Sequence, residues 1–387
     1  MLTLLLSVPC AAQATWTVHS AGGAQFTAIQ PAIAAAAAGD RIEVQGAGPY
    51  AGFVVDRGVE VESLGGAVCG TIEVLGVPAG QRARVAGFVV DQGSSSRVRV
   101  AACAGAVVLA SLAHTGASAG NGAMPGLEVL DAPQVLVDRC SLRGQWNAAG
   151  APGARLVNAQ AMFVEGSLLG GVSVSSFPSS GNSGRSGLEV DNSHVTLRGT
   201  TVRGGAATGA SIAGGSGGDA LHVVSGTALV LGQCQLRGEP GGGGGIVSGS
   251  HGAAARGNVR YTPDTLLVGP TVNATAILTR PVVASPANVM VGTTLSWSLS
   301  GLPNQPVWLG LDLAFAYLPL PQFDSALVLT PGAALLPVQF FDATGGSTAS
   351  LAIPNSAALR HLDLVAQAAS FIFGGLILTA PTVTHTL

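Results

Sequence analysis

"GLEVLDAPQVLVDRCSLRG" (residues 126–144) is the stretch on which the fold turns, because the chain repeats it. "RLVNAQAMFVEGSLLGG" (155–171), "GLEVDNSHVTLRGTTVRGG" (187–205) and "ALHVVSGTALVLGQCQLRG" (220–238) superpose on it with Leu142, Leu168, Val202 and Leu236 as a common anchor. Five residues before the anchor stand Val137, Phe163, Leu197 and Leu231; seven before it stand Val135, Ala161, Val195 and Leu229. Two after it comes Gly144, Gly170, Gly204 or Gly238. Apolar residues at every second position are strand spacing, because successive side chains of a strand point to opposite faces. A unit too small to bury its own apolar face must stack on its neighbours, so the repeats predict a pile of parallel rungs. Weaker copies run upstream through "RVAGFVVDQG" (84–93) and "AGAVVLASLAHTG" (104–116). The anchors lie 26, 34 and 34 residues apart, and the excess over a bare rung falls in "GGAATGASIAGGSGGD" (204–219) and "EPGGGGG" (239–245). Such glycine runs, without a strand–loop–helix context for phosphate, read as flexible insertions.

The composition suits thin layers stacked closely. Of 387 residues 56 are Gly, only 10% are charged, and the 48% apolar fraction is mostly Ala and Val with 5% aromatics. A net charge of -3 argues against nucleic acid as a partner, which needs a concentrated basic surface. All 17 basic residues are Arg, which excludes any Schiff-base or P-loop lysine. The start, "MLTLLLSVPCAAQATW", pairs an apolar stretch with the small-x-small pattern Ala12-Gln13-Ala14, so a signal peptide over residues 1–14 is expected, without the usual basic n-region. The expected location is therefore secreted or cell surface, and no later stretch is long and apolar enough to span a membrane. Among the remaining cysteines, Cys140 and Cys234 share one slot three rungs apart, ~14 Å, too far for a disulfide. A Cys69–Cys103 pair stays open.

Ahead of the repeats, "FTAIQPAIAAAAAGD" (26–40) reads as one short amphipathic helix with Phe26, Ile29 and Ile33 on a single face. Thr27 with Gln30 fits a capping box, and Gly39-Asp40 marks the end. Over residues 26–50, Phe26, Ile29, Gln30, Ile33, Gly39, Asp40, Ile42, Val44 and Tyr50 make a pattern that resembles the opening of right-handed parallel β-helix proteins of the pectate lyase-like superfamily. The resemblance implies that the helix plugs an end which would otherwise expose apolar side chains and strand edges. The expected fold is all-β: a capped right-handed parallel β-helix over residues 15–258, then an antiparallel β-sandwich over 259–387, where proline, tryptophan and strands of ordinary length take over. "GGSTASLAIPNSAALRHLDLVAQA" (345–368) resembles a C-terminal module of exported planctomycete-like bacterial proteins, which implies surface attachment or packing on the helix.

Candidate chemistry is sparse. Glu128 and Glu189 stand in matching outward slots with His222 further along, and Asp131 matches Asp191 at the next turn. Glu128 and Glu189 are two rungs apart, ~10 Å, with Val157 and Asn158 on the intervening line, marginal for the paired carboxylates of glycoside hydrolysis. Asp131 and Asp191 are weak candidates for calcium, which needs converging oxygens; otherwise no cofactor or metal is expected. Arg143, Arg203 and Arg237 form an outward line broken by Leu169, suited to bidentate binding of uronic or sulfated sugars. His114 and the histidine of "GSHG" (249–252) are isolated and read as solvated. Within the resemblance, the motifs of polygalacturonases, pectin methylesterases and calcium lyases are absent. The leading expectation is a non-catalytic exported protein that binds glycan or serves a structural surface role. The alternatives are a diverged polysaccharide lyase or glycoside hydrolase using Glu128, Glu189, His222 and Arg203, and an adhesin-like stalk whose sandwich does the binding.

Overall fold

The structure, a computed structural model, describes residues 13–91, 96–116, 124–146, 150–172, 181–209, 213–244, 246–277, 282–313, 318–320, 325–327, 329–330, 332–356, 359–360, 362–372, 375–379 and 382–387. The expected signal peptide falls almost wholly on residues 1–12, outside the described residues.

Parallel strands stack in three columns. The first runs from Thr15–His19 through Arg82–Ala86, Val135–Asp138 and Ser193–Arg198 to Gly226–Leu231. The second runs from Phe53–Val55 through Leu127–Leu130 and Leu188–Asp191 to Leu221–Val223. The long strand Ala255–Tyr261 pairs with the ends of both columns, and Thr271–Ala276 lies on it as the last rung. The third column, an eight-stranded sheet, runs from Val68–Cys69 through Ser141–Arg143 to Leu266–Val268. Parallel pairing thus continues past residue 258; what stops there is the glycine-rich inserts, not the rungs. One apolar cluster, from Val18 to Val259, fills the interior.

The repeat anchors stack as their spacing requires, Leu142 on Leu168 on Val202 on Leu236. The fourth copy departs in the first column, where Leu197 faces Val230 and Val195 faces Ala228, not Leu231 and Leu229. One extra residue in the following corner, with Gly232 and Gln233 both at positive φ, shifts the register. Leu229 and Leu231 consequently sit on the outer side, where Ile277 packs against them.

The helix spans Ile29–Ala35 and buries Ile29, Ala32 and Ile33 in the stack core. Two details of its ends differ from expectation. Its N-cap is Ala28, whose side chain has no acceptor to offer, so the capping box does not form; the Gln30 amide instead accepts from Val54 N (2.7 Å) and donates to Val54 O (3.2 Å). It also ends at Ala36 and not at Gly39-Asp40. Asp40 instead ties the chain entry to the helix, accepting from Ala14 N, Ala37 N and Trp16 Nε1 at 2.9, 2.9 and 3.1 Å. Burial pushes its carboxyl up, but these three donors outweigh burial and hold it below its ordinary value.

Where they are described, the glycine-rich inserts are hydrogen-bonded to one another. A chain of backbone hydrogen bonds crosses them, from Gly171 N to Ala151 O, Arg185 N to Gly171 O, Gly205 N to Arg185 O, Gly218 N to Gly205 O, Glu239 N to Gly218 O and Gly252 N to Glu239 O, all 2.7–3.1 Å. A Cβ at Gly184, Gly214 or Gly249 would fall 1.7–1.8 Å from a carbonyl oxygen of the neighbouring insert. Glycine is needed here for close approach of backbones, which turns the inserts into an ordered lobe on one corner of the stack.

Beyond the stack, strands pair antiparallel, apart from one short parallel pair. A three-stranded sheet carrying Leu295, Trp297 and Leu299 faces a larger one carrying Val307, Leu309, Leu364, Ala366 and Ala368 across a second apolar core. This unit lies along the side of the first column. Val108, Leu136 and Met162 form an outward row on successive rungs, and with Val164 they are buried against Leu329, Val365 and Val383.

All four described cysteines are buried and free, so the Cys69–Cys103 pair left open by the sequence is not formed. Burial pushes the Cys69, Cys140 and Cys234 thiols up to about 12.

Candidate functional site

The three columns give three outer faces, and they differ in what occupies them. The first is covered by the C-terminal unit, and its N-terminal rungs carry the polar part of that junction. Arg41, Glu60 and Arg84 stack on successive rungs. Arg41 pairs with Glu62 and Arg84 with Glu60, each at 2.6 Å. Across the junction Arg82 pairs with Asp363, Arg84 Nε lies 3.4 Å from Asp363, and His385 Nδ1 lies 3.0 Å from it. Burial alone would push the Asp363 carboxyl up, but His385 and the charges of Arg82 and Arg84 hold it well below the usual carboxylate range. These charges pair with one another across the junction and act as a clamp.

The second face carries Glu128, Glu189 and His222. The register sets the row as Glu73, Arg99, Glu128, Arg155, Glu189, His222 and Arg256 on successive rungs. The residue between Glu128 and Glu189 is therefore Arg155, and not Val157 or Asn158, which lie on the turn side of the strand. Acid and base alternate: Arg99 is 3.4 Å from Glu128, and Arg155 is 3.5 Å from Glu189. Two carboxylates ~10 Å apart with a guanidinium between them lack the water-sized or sugar-sized gap of a hydrolytic pair. His222 stands on the rung directly after Glu189.

Asp131 and Asp191 do not share a slot. Asp191 stacks on Val157, whereas Asp131 belongs to a turn ladder with Asn158 and Asn192, all three at positive φ. Asn158 donates to Asp131 (2.9 Å) and Asn192 donates to Asn158 (2.7 Å), while Ser225 caps Asp191 (2.7 Å). Short polar side chains are tolerated in left-handed corners, and stacking lets each satisfy the next. Among the described residues no three His, Cys, Asp or Glu side chains converge on a point.

The third face is open among the described residues. Ser141, Ser167, Thr201 and Gln235 form one outward row, and Arg143, Leu169, Arg203 and Arg237 the other. Glu239, itself buried, takes both Arg203 (2.8 Å) and Arg237 (3.2 Å). Arg143 has no carboxylate partner among the described residues, so the row holds three arginines and the one acid is shared by two of them. A shallow groove of ≈ 320 Å³ lies beside Ser141, Arg143, Ser167 and Leu169. Trp146, 43% exposed, follows this strand three residues on.

His114 is not solvated. It occupies the inward slot between Val90 and Leu142 and is 2% exposed, with Nδ1 2.8 Å from Arg143 O and Nε2 3.1 Å from Ser96 O. Gln145, fully buried, donates to the same Ser96 carbonyl and accepts from Met124 N. Together they brace the floor under the groove. The sequence offered a signal for this, a histidine at the apolar phase of an alternating strand.

No protein-family model and no curated protein matches this chain. Among solved structures, a superoxide reductase (neelaredoxin) from Ignicoccus hospitalis is similar at 16% identity over 28% of this chain and 80% of its own, with a TM-score of 0.19, which carries no weight for fold or function.

Proposed function

We propose that this is an exported protein of the cell surface or surroundings, built on a right-handed parallel β-helix, that binds acidic glycan along its third face and does no chemistry on it. One observation supports this: among the described residues, one outer face is covered, one is neutralised rung by rung, and the third presents an excess of arginine over acid, with Arg143 unmatched, beside exposed Ser141. Arg143, Arg203 and Arg237 against the single Glu239 leave net positive charge, and guanidinium groups suit carboxylate or sulfate bidentately. A neighbouring exposed tryptophan suits the apolar face of a sugar ring. The paired Glu128, Arg155 and Glu189 support the non-catalytic half, because each carboxylate is held by a neighbouring arginine.

The test is co-sedimentation and calorimetry with a panel of acidic and neutral polysaccharides, alongside release of reducing ends with and without calcium. Retention on acidic chains that weakens with salt and on Arg143→Ala, with no product released, is the expected outcome. Product formation lost in Glu189→Gln would replace it with the lyase or hydrolase alternative. Indifference to every third-face substitution would refute the glycan site.

A further inference from the structure

The two ends of the stack are finished differently. At the first, the free edge of Thr15–His19 is occupied: Thr17 N donates to Gln25 Oε1 (2.8 Å), Phe26 N to Thr17 O (3.1 Å) and His19 N to Phe26 O (2.9 Å). Gln30 blocks Val54 in the same way, and the helix covers the apolar interior. At the other end the last strand, Thr271–Ala276, pairs with Ala255–Tyr261 on one side and with nothing on the other among the described residues. Five of its six residues are exposed, Val272 among them at 37%, and Leu266 and Val268 of the last third-column strand are 54% and 42% exposed. No described strand of the C-terminal unit pairs with it; by Val283 the chain has turned back, where Arg198, three rungs earlier, donates to Val283 O at 2.8 Å.

Exposed strand edges are templates for pairing, and soluble proteins blunt them with charge, proline inside the strand or a covering element. Thr265 to Ile277 contains no charged residue, and its proline precedes the strand. We infer that this end is an interface for a second copy of the chain, the two last rungs meeting antiparallel about a two-fold axis. A two-fold contact sets each residue of the strip against another residue of the same strip, and since none of them is charged the strip meets its copy without repulsion. The sealed first end forbids head-to-tail growth, so the contact closes as a dimer and does not propagate as a fibre.

Sedimentation equilibrium of the full chain over a range of concentrations tests this. The mass is expected to rise from 38.1 kDa toward twice that value. Val272→Lys with Thr275→Lys should weaken association by about tenfold or more, through like charges placed opposite one another. Leu64→Lys, on an exposed site elsewhere, should leave it unchanged. Circular dichroism checks that the variants remain folded. In a Cys10→Ser background, Asn273→Cys should form an intermolecular disulfide on oxidation, since the four described native thiols are buried. A strictly monomeric chain, or a dimer untouched by the lysines and not trapped at residue 273, would overturn the inference; retention of an unrelated β-strand peptide by a monomeric chain would also overturn it.

Discussion

Replacing Gly184 by alanine tests whether the glycine-rich inserts are a lattice or a tether. Gly184 donates its N–H to Ser216 O at 2.8 Å, and a Cβ built there meets Gly205 O at 1.7 Å and Gly205 C at 2.5 Å. The obstacle is backbone, so no rotamer change relieves it; one insert must move by over an ångström. Overpacking of this kind costs about 1–3 kcal/mol, and the shift endangers the bonds at Gly184 and Gly205, about 1 kcal/mol each. Restricting the unfolded chain returns roughly 0.4–1 kcal/mol. The net expectation is a local loss of about 2–4.5 kcal/mol, which is amide exchange about 30- to 2,000-fold faster. Hydrogen exchange read by mass spectrometry over residues 181–187 and 203–220 measures it directly and avoids assuming two-state melting of a chain with two cores. Gly243→Ala is the control, because nothing lies within 4 Å of its added Cβ. It should be neutral or slightly stabilising. If Gly184→Ala and Gly243→Ala behave alike, with wild-type protection already low, the lattice does not exist.

Asp363→Ala removes the acid that Arg82, Arg84 and His385 share across the junction; Arg84 keeps Glu60, so the loss should fall toward or below the low end of the about 3–5 kcal/mol for breaking a buried ion pair, and calorimetry should show the C-terminal unit melting separately from the stack. Burial pushes the Asp138 carboxyl up to about 6 against the pull of Arg139. With an unfolded value of ~3.9, the native state binds more protons between about pH 4 and 6, so this group's contribution falls as pH rises through that window. Asp138→Asn should flatten that decline by up to about 2 kcal/mol in urea titrations at pH 4.5 and 7. Asp363 has the opposite sign: its depressed carboxyl supports folding above about pH 4 and loses that support as pH falls further. Cys69, Cys103, Cys140 and Cys234 should resist a thiol reagent in the native protein and react together after denaturation, with no mass change on reduction; prompt native labelling would contradict their burial.

The stacking of parallel strands and its in-register anchors were legible from residues 126 to 238, because period-two apolar spacing and a recurring glycine are local properties of the chain. So was the closing helix, through the spacing of Ile29 and Ile33. The C-terminal unit's place along the first column could also be sensed: "AVVLA" (106–110) and "AMFV" (161–164) are apolar on both phases, which marks strands covered on both faces. Other features lay beyond local reading. Arg155 entered between Glu128 and Glu189 because rung lengths differ, and a corner that gains or loses one residue moves every later side chain by one position. Asp131 and Asp191 parted company for the same reason. The glycine inserts looked mobile because composition records the missing side chains, while the carbonyls that fill their place come from other inserts some 30 residues away. Periodicity along the chain determined that it would stack; which charges meet, which face is left open and which end is left unsealed were decided by register between rungs and by the fold-back of the last 100 or so residues, and those depend on contacts no single stretch contains.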